Sequence, residues 1–224
     1  MKKIVVFGLG NFGITIGKTL VQNGAEVLGV DSNIEVVNSA KDYISFAVCG
    51  DVTQKEVLES LQITDYDTAI VAIGQDMTSS ILVSLFLKEL HCRHIVARAI
   101  SEDHAKILDK LGVHEVVFPE RDIAVKLGNK ILLKNALDYL PVTDDYGIVE
   151  VIPQNSFIGK TLAELKITSR FSCQVIGIKT PEETGNTESY NTKMAPSAGD
   201  IIRVNSILIV LGKLSEIQKL QRAE

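Results

Sequence analysis

Six short runs rich in Val and Ile punctuate residues 3–119 at crossover-length intervals. They are KIVVFG (3–8), EVLGVD (26–31), SFAVCG (45–50), TAIVAIG (68–74), HIVARA (94–99) and EVVFP (115–119). Continuously apolar runs of this length suit strands covered on both faces. Between them lie segments of helical length at 11–23, 33–41, 54–62, 77–90 and 102–111. Strict β-α alternation with separators that long predicts a six-stranded, parallel, doubly wound α/β sheet of Rossmann-like type.

The rhythm breaks after Pro119. Residues 120–140 (ERDIAVKLGNKILLKNALDYL) read as one long helix ending at Pro141. Its apolar positions cover more than one narrow stripe, which suggests burial on two sides. Such a helix suits a subunit contact; a terminal helix packed on its own sheet is the alternative. TDDYGIVEVIP (143–153) opens a different texture. Strands are expected at 148–152, 174–179 and 206–211, a helix at 161–167, and a loop or exposed hairpin at 179–200. The expected division is therefore a Rossmann-like domain with its contact helix at 1–140 and a smaller α+β domain at 141–224, joined by a hinge near 140–145.

The 224 residues are 46% apolar, enough for a core without covalent staples. A net charge of −5 argues against a sequence-independent grip on nucleic acid, which needs clustered Lys and Arg. Cys49, Cys92 and Cys173 are scattered, with no CxxC, and are expected to be reduced, buried and inert, as in the cytosol. The longest apolar stretches, 81–87 and 207–212, fall well short of the roughly 18 residues of a membrane span. The first residues enter a strand-like run and do not read as a signal peptide. A membrane role is expected only through a partner.

The first strand runs into Gly8-Leu9-Gly10-Asn11-Phe12-Gly13, a GxGxxG between strand and helix. Gly8 permits the tight turn, Gly10 leaves the backbone open to a pyrophosphate, and Gly13 lets the helix pack against the strand. The helix N-terminus adds N–H donors and a positive dipole. Asp31, closing the second strand, can accept ribose hydroxyls and would repel a 2′-phosphate. Asp51 and Thr53 in CGDVTQ would border the adenine, although Asp51 can equally cap the next helix. Gly74 and Gln75 close the fourth strand on the same edge. Arg98 ends the fifth and can reach a phosphate or make a surface ion pair. Asn11, Phe12, Ser32, Val52 and Ile73 complete the cofactor-binding set.

His91, His94, His104 and His114 show no relay with a carboxylate, and no HExxH, GxSxG or P-loop lysine occurs. A nucleotide sensor is therefore favoured. A small NAD-dependent oxidoreductase is the alternative, and an adaptor with a vestigial site is a third reading.

Four blocks in order, residues 4–31, CGDVTQKEVLESLQI, DTAIVAIGQDMTSSILVSLFLKEL and VFPERD, resemble the RCK (KTN) domain of bacterial potassium uptake systems of the Ktr and Trk type. YGIVEVIPQNSFIGKTLAELKI and DIIRVNSILIVLGK resemble its companion C-terminal domain. One unit per chain is closer to the Ktr pattern than to the tandem Trk pattern. The resemblance implies a non-enzymatic, cytoplasmic gating subunit, dimeric and assembled as an octameric ring. That ring would lie at the inner face of the membrane, beneath a potassium-translocating partner. It implies ATP, ADP or NAD(H), with AMP open, in the cleft of Gly8, Gly10, Gly13, Asp31, Asp51, Thr53 and Arg98. Glu120 matches an acidic position at the dimer interface where some relatives place a divalent or monovalent cation. Asn11 stands where Ktr-type members commonly carry Arg; it cannot fork onto a γ-phosphate, which weakens the expected preference for ATP over ADP. Cyclic di-AMP in some relatives maps to 169–179, with Arg170 at a phosphate position, Gln174 replacing an Asn and Cys173 an aliphatic residue.

Overall fold

Alternation of buried faces explains the lack of polar positions in the first strands. In a computed structural model of the chain, residues 1–74, 76–133, 136–143, 145–182 and 189–222 are described. Along β1 (Lys3–Phe7), Ile4 and Val6 enter one core cluster while Val5 and Phe7 enter another on the opposite face. β2 (Glu26–Asp31), β3 (Phe46–Cys49), β4 (Thr68–Val71), β5 (Ile95–Arg98) and β6 (Glu115–Val117) complete a parallel sheet in the order β3-β2-β1-β4-β5-β6. The crossovers are α1 (Asn11–Gln22), α2 (Ile34–Ala40), α3 (Lys55–Ser60), α4 (Met77–Glu89) and α5 (Glu102–Lys110). This is the six-stranded, doubly wound sheet expected from the sequence. The strand order reverses between β1 and β4, which opens a crevice at the carboxyl edge.

α1 can lie close to the sheet because two of its residues lack a Cβ. A Cβ on Gly17 would stand 3.0 Å from Ile44 Cγ2, and one on Gly13 only 1.9 Å from the Gly8 carbonyl oxygen.

The chain divides into two compact units, Met1–Arg121 and Asp122–Glu224. α6 (Pro119–Leu132) spans the division. The helix expected to reach Leu140 stops at Leu132, and Ala136–Pro141 instead forms strand β7. β7 pairs antiparallel with β8 (Tyr146–Val151), placing Tyr139 opposite Val149 and Pro141 opposite Gly147. Tyr139 is fully buried, and Gly147 makes room for its ring: a Cβ there would lie 2.4 Å from Tyr139 Cε2. Burying that aromatic on a sheet overrides the helical periodicity of the segment. α6 buries no residue, and Ile123, Val125, Leu127, Ile131 and Leu132 are exposed. Among the described residues, the burial on two sides expected of this helix is not seen.

The second unit is an antiparallel sheet in the order β10-β9-β11-β8-β7. Its remaining strands are β9 (Gln174–Pro181), β10 (Tyr190–Met194) and β11 (Ile207–Lys213). β9 and β10 form the exposed hairpin expected within 179–200; residues 183–188 of that stretch lie outside the described residues. The helix expected at 161–167 is two short ones, α7 (Leu162–Leu165) and α8 (Ile167–Phe171). Lys166 between them adopts φ 49°, left-handed, which ends the first. α9 (Leu214–Leu220) contributes Ile217 and Leu220 to the core around Val149, Leu208 and Val210.

Cys92 and Cys173 are buried thiols, and burial pushes Cys173 up to about 11. Cys49 is exposed, contrary to expectation, because β3 is an edge strand. Among the described residues no helix is long and apolar enough to cross a membrane.

His104 of α5 is fully buried, and its Nδ1 accepts from the Ile100 amide at 3.3 Å. Burial holds its pKa below the ordinary imidazole value, and His114 shifts the same way, chiefly through burial. Below about pH 6.5 the unfolded chain then binds more protons than the folded one, so stability falls as pH falls. Urea midpoints at pH 7.5 and 5.5 should show this loss, and His104→Asn should lessen the difference between the two. An equal slope in wild type and variant would show that His104 does not carry it.

Candidate nucleotide site

The carboxyl edge of the parallel sheet holds a cleft of about 950 Å³. Each strand end delivers a part of it. β1 ends in Gly8, whose φ of +90° makes the sharp turn and whose amide donates to the Val30 carbonyl at 2.8 Å. Gly10 is the N-cap of α1; no side chain caps it, and a Cβ there would meet nothing within 4 Å. The first turn of α1 thus faces the cleft with uncovered N–H groups and the positive end of the helix dipole. Asn11 and Phe12 line the cleft beside it. Gly13 does not line it; it lies beneath, buried against Gly8.

β2 delivers Asp31. Its Oδ2 accepts from the Leu9 amide at 2.8 Å and its Oδ1 from the Asn33 amide at 2.9 Å. The carboxylate therefore pins the glycine turn to the second strand, and each oxygen retains lone-pair capacity toward the cleft, which Ser32 also lines. After β3, Asp51 accepts from the Thr53 hydroxyl at 2.6 Å and amide at 3.0 Å. Those bonds, the hydroxyl's first, hold its carboxyl below the usual range. Gln54, not Asp51, is the N-cap of α3, so the alternative role of Asp51 as that helix's cap does not apply. Val52 and Thr53 line the same end.

Ile73 and Gly74 line the cleft after β4; Gln75 lies outside the described residues. Arg98 at the end of β5 donates from Nη2 to Glu120 Oε1 in the first turn of α6. Its guanidinium lies 5.6 Å from the centre of the Phe12 ring. Of the expected cofactor-binding residues, the cleft gathers all but the underlying Gly13. Glu120, the expected cation position, pairs with Arg98; among the described residues no cluster of three or more His, Cys, Asp or Glu is arranged for a metal ion.

Sequence reasoning missed Asp76 and Ser79. Asp76 is the N-cap of α4, accepting from the Thr78 amide at 2.9 Å and the Ser79 hydroxyl at 2.5 Å. The Ser79 hydroxyl is the main reason its carboxyl lies below the usual range. An Asp followed by Thr and Ser just after an apolar run was the available signal. Thr15 and Asn33 also line the cleft and went unassigned.

Gly8, Gly10 and Gly13 at a strand–helix turn and a carboxylate closing β2 define a Rossmann-like first unit, and the second unit is a small antiparallel sheet. A family model described as the TrkA-N domain matches residues 4–119, and one described as the TrkA-C domain matches residues 148–223. The chain belongs to this TrkA-N/TrkA-C family of potassium uptake proteins. It is 35% identical over 221 residues to Ktr system potassium uptake protein C of Bacillus subtilis (strain 168), covering 99% of this chain and 96% of that protein. The solved GsuK channel bound to NAD has a TM-score of 0.63 at 21% identity, over 98% of this chain and 39% of that one. The Shewanella denitrificans Kef CTD in AMP-bound form has a TM-score of 0.52 at 26% identity, over 58% of this chain and 80% of that one.

Proposed function

We propose that this chain is a cytoplasmic, nucleotide-sensing regulatory subunit of a potassium uptake system, working through a membrane-embedded partner and not as an enzyme. The observation that carries the reading is the bare backbone at Gly10, where the uncapped start of α1 opens onto a cleft edged by Asp31. Phosphates would lie against Gly8, Gly10 and the start of α1; Asp31 and Ser32 would take the ribose; Asp51, Val52 and Thr53 would border the adenine. NAD and AMP in the related structures fit this class of ligand. ATP and ADP belong to the same class. Among the described residues the cleft is lined by no His, Lys, Tyr or Cys, the groups most often placed to move a proton in hydride-transfer enzymes.

Regulation needs two shapes with different affinities for ligand. The exposed apolar side of α6 suits pairing with a second copy, and the family resemblance extends this to an octameric ring, with a cation near Glu120. Cyclic di-AMP at the second unit rests on the resemblance and on Arg170, which stacks over Phe171 at 4.9 Å.

The test is a calorimetric panel of ATP, ADP, AMP, NAD, NADH and NADP, beside mass spectrometry of whatever nucleotide copurifies. Asp31 should make NADP at least about tenfold weaker than NAD, since a 2′-phosphate would meet a carboxylate. Asp31→Ala should weaken NAD and narrow that ratio. Equal affinity for NAD and NADP in the wild type, or no binding of any of the six, would sink the assignment.

A further inference from the structure

Among the described residues of the first unit, the fully buried polar side chains all sit on two neighbouring helices: Ser80 and Ser84 on α4, and His104 on α5. Val83 and Leu87 of α4 and Leu108 of α5 enter one core cluster, so the two helices share a face of the sheet. Each follows a strand of the parallel sheet and therefore starts at its carboxyl edge. Ser80 and His104 both lie near those starts. Ser84 uses its hydroxyl on the Ser80 carbonyl at 2.7 Å. His104 Nε2 and Ser80 Oγ have no hydrogen-bond partner among the described residues.

His104 closes the loop that leads from β5 into α5. Its Nδ1 accepts from the Ile100 amide at 3.3 Å, and its own amide donates to Ser101 Oγ, the N-cap of α5, at 3.1 Å. A neutral ring that accepts at Nδ1 carries its proton on Nε2. The closed loop therefore requires the uncharged imidazole in one tautomer. An imidazolium has N–H on both nitrogens, so Nδ1 would point a donor at the Ile100 donor. It would also be a buried charge without a counter-ion. One side of the ring is held and the other is not, which lowers the cost of leaving: Nε2–H gains a partner in water that it lacks inside.

The charges on the surrounding elements do not compensate a positive ring. Lys88 and Glu89 lie at the far end of α4, and Glu115 starts β6 at the opposite edge of the sheet. Arg98 at the end of β5 is paired with Glu120. On α5 itself Glu102 pairs with Arg121 and Asp103 with Lys106, while Asp109 and Lys110 lie at its far end. Burial alone holds the imidazole below its ordinary pKa.

We propose that His104 is an acid-operated lock on the β5–α5 loop. Neutral, the ring stays inside and ties Ile100 to the first turn of α5. Protonated, it swings out to solvent, and the turn opens while the sheet stays folded. The freed turn carries Glu102, whose Oε1 accepts from Arg121 Nη1 at 3.0 Å, so acidity acts on a tie between α5 and α6. The lock needs no ligand in the cleft and does not rest on the nucleotide reading. It gives the chain a second input, proton concentration.

The test is hydrogen exchange of the full chain at pH 7.5 and 5.5, read as protection factors so that the chemical effect of pH is removed. An open form with an imidazole pKa of about 6.5 gains close to tenfold in population over this interval, because the closed form does not take the proton. Segment 99–108 should lose about tenfold in protection, and should be less protected than β1 at both pH values. In His104→Asn the side-chain carbonyl can accept from Ile100 without titrating, and the loss should shrink below about twofold. Nitrogen NMR of the wild type at pH 7.5 should show His104 as the Nε2–H tautomer, a result that does not depend on the variant folding. Protection of 99–108 equal to that of β1 at both pH values would mean that only global unfolding exposes the loop, and the lock would be wrong. An undiminished loss in folded His104→Asn, or an Nδ1–H tautomer in the wild type, would overturn it too.

Discussion

Gly13→Ala is expected to unfold the first unit or to cost it about 3 kcal/mol or more, at or beyond the upper end for overpacked cores. The added Cβ would stand 1.9 Å from the Gly8 carbonyl oxygen, 3.0 Å from the Gly8 carbonyl carbon and 3.2 Å from Ala72 Cβ. The first two are backbone atoms, so no rotamer change relieves them. Gly8 cannot retreat, because its amide is held by the Val30 carbonyl and it is wedged against the backbone of Ala72 and Ile73. α1 must therefore back off, which loosens its contact with the sheet along its whole length. Ala favours a helix over Gly by about 1 kcal/mol, an opposing gain too small to offset a backbone collision. Since a domain is stable by only about 5–15 kcal/mol, the loss is decisive. Urea unfolding followed by circular dichroism reads it; a midpoint equal to wild type would show that α1 does not pack against Gly8 as described.

The parallel sheet was legible in the sequence because its signal is redundant. Apolar runs, crossover lengths and a glycine turn all demanded the same topology, and the central run β1 is buried on both faces while β3 at the sheet edge is mostly exposed. Residues 136–141 carried no such redundancy. Leu137, Tyr139 and Leu140 satisfy a helical stripe as readily as a strand, and what decides between them is Gly147, distant in register and invisible to a local window. The break at Lys166 was hidden for a related reason: a left-handed Lys is unusual, and nothing in TLAELKI announces it. Within the site, residues named by a motif or a strand end were found. Asp76 and Ser79 were not, because their signal is an ordinary helix cap, which becomes a cleft wall only once β4 is placed beside β1. Arg98 was legible as a cation at a strand end. Its partner was not derivable from spacing: phosphate contact and surface ion pair were both open, and the structure shows the ion pair.

Gly10→Val should leave the fold standing and abolish ligand binding, which separates the two roles of the glycine turn. The backbone at Gly10 has φ −63° and ψ −174°, an extended conformation that a β-branched residue adopts without strain. A Cβ there meets nothing within 4 Å, in contrast to the collision at Gly13. The folding cost is limited to the poorer N-cap that Val makes than Gly, about 1 kcal/mol. The added methyl groups would stand over the uncapped first turn of α1, between its N–H groups and any phosphate approaching them. A phosphate held off those donors loses its charge-assisted bonds and the dipole together. An affinity loss of at least about 100-fold follows, equivalent to about 2.7 kcal/mol. Calorimetry with each nucleotide that binds the wild type measures it, alongside a urea midpoint for the variant. A folded Gly10→Val protein that binds those nucleotides as tightly as the wild type would move the ligand away from α1, and with it the role of the helix N-terminus in sensing. A stable variant that binds none of them would tie recognition to a patch of bare backbone two residues beyond the turn at Gly8.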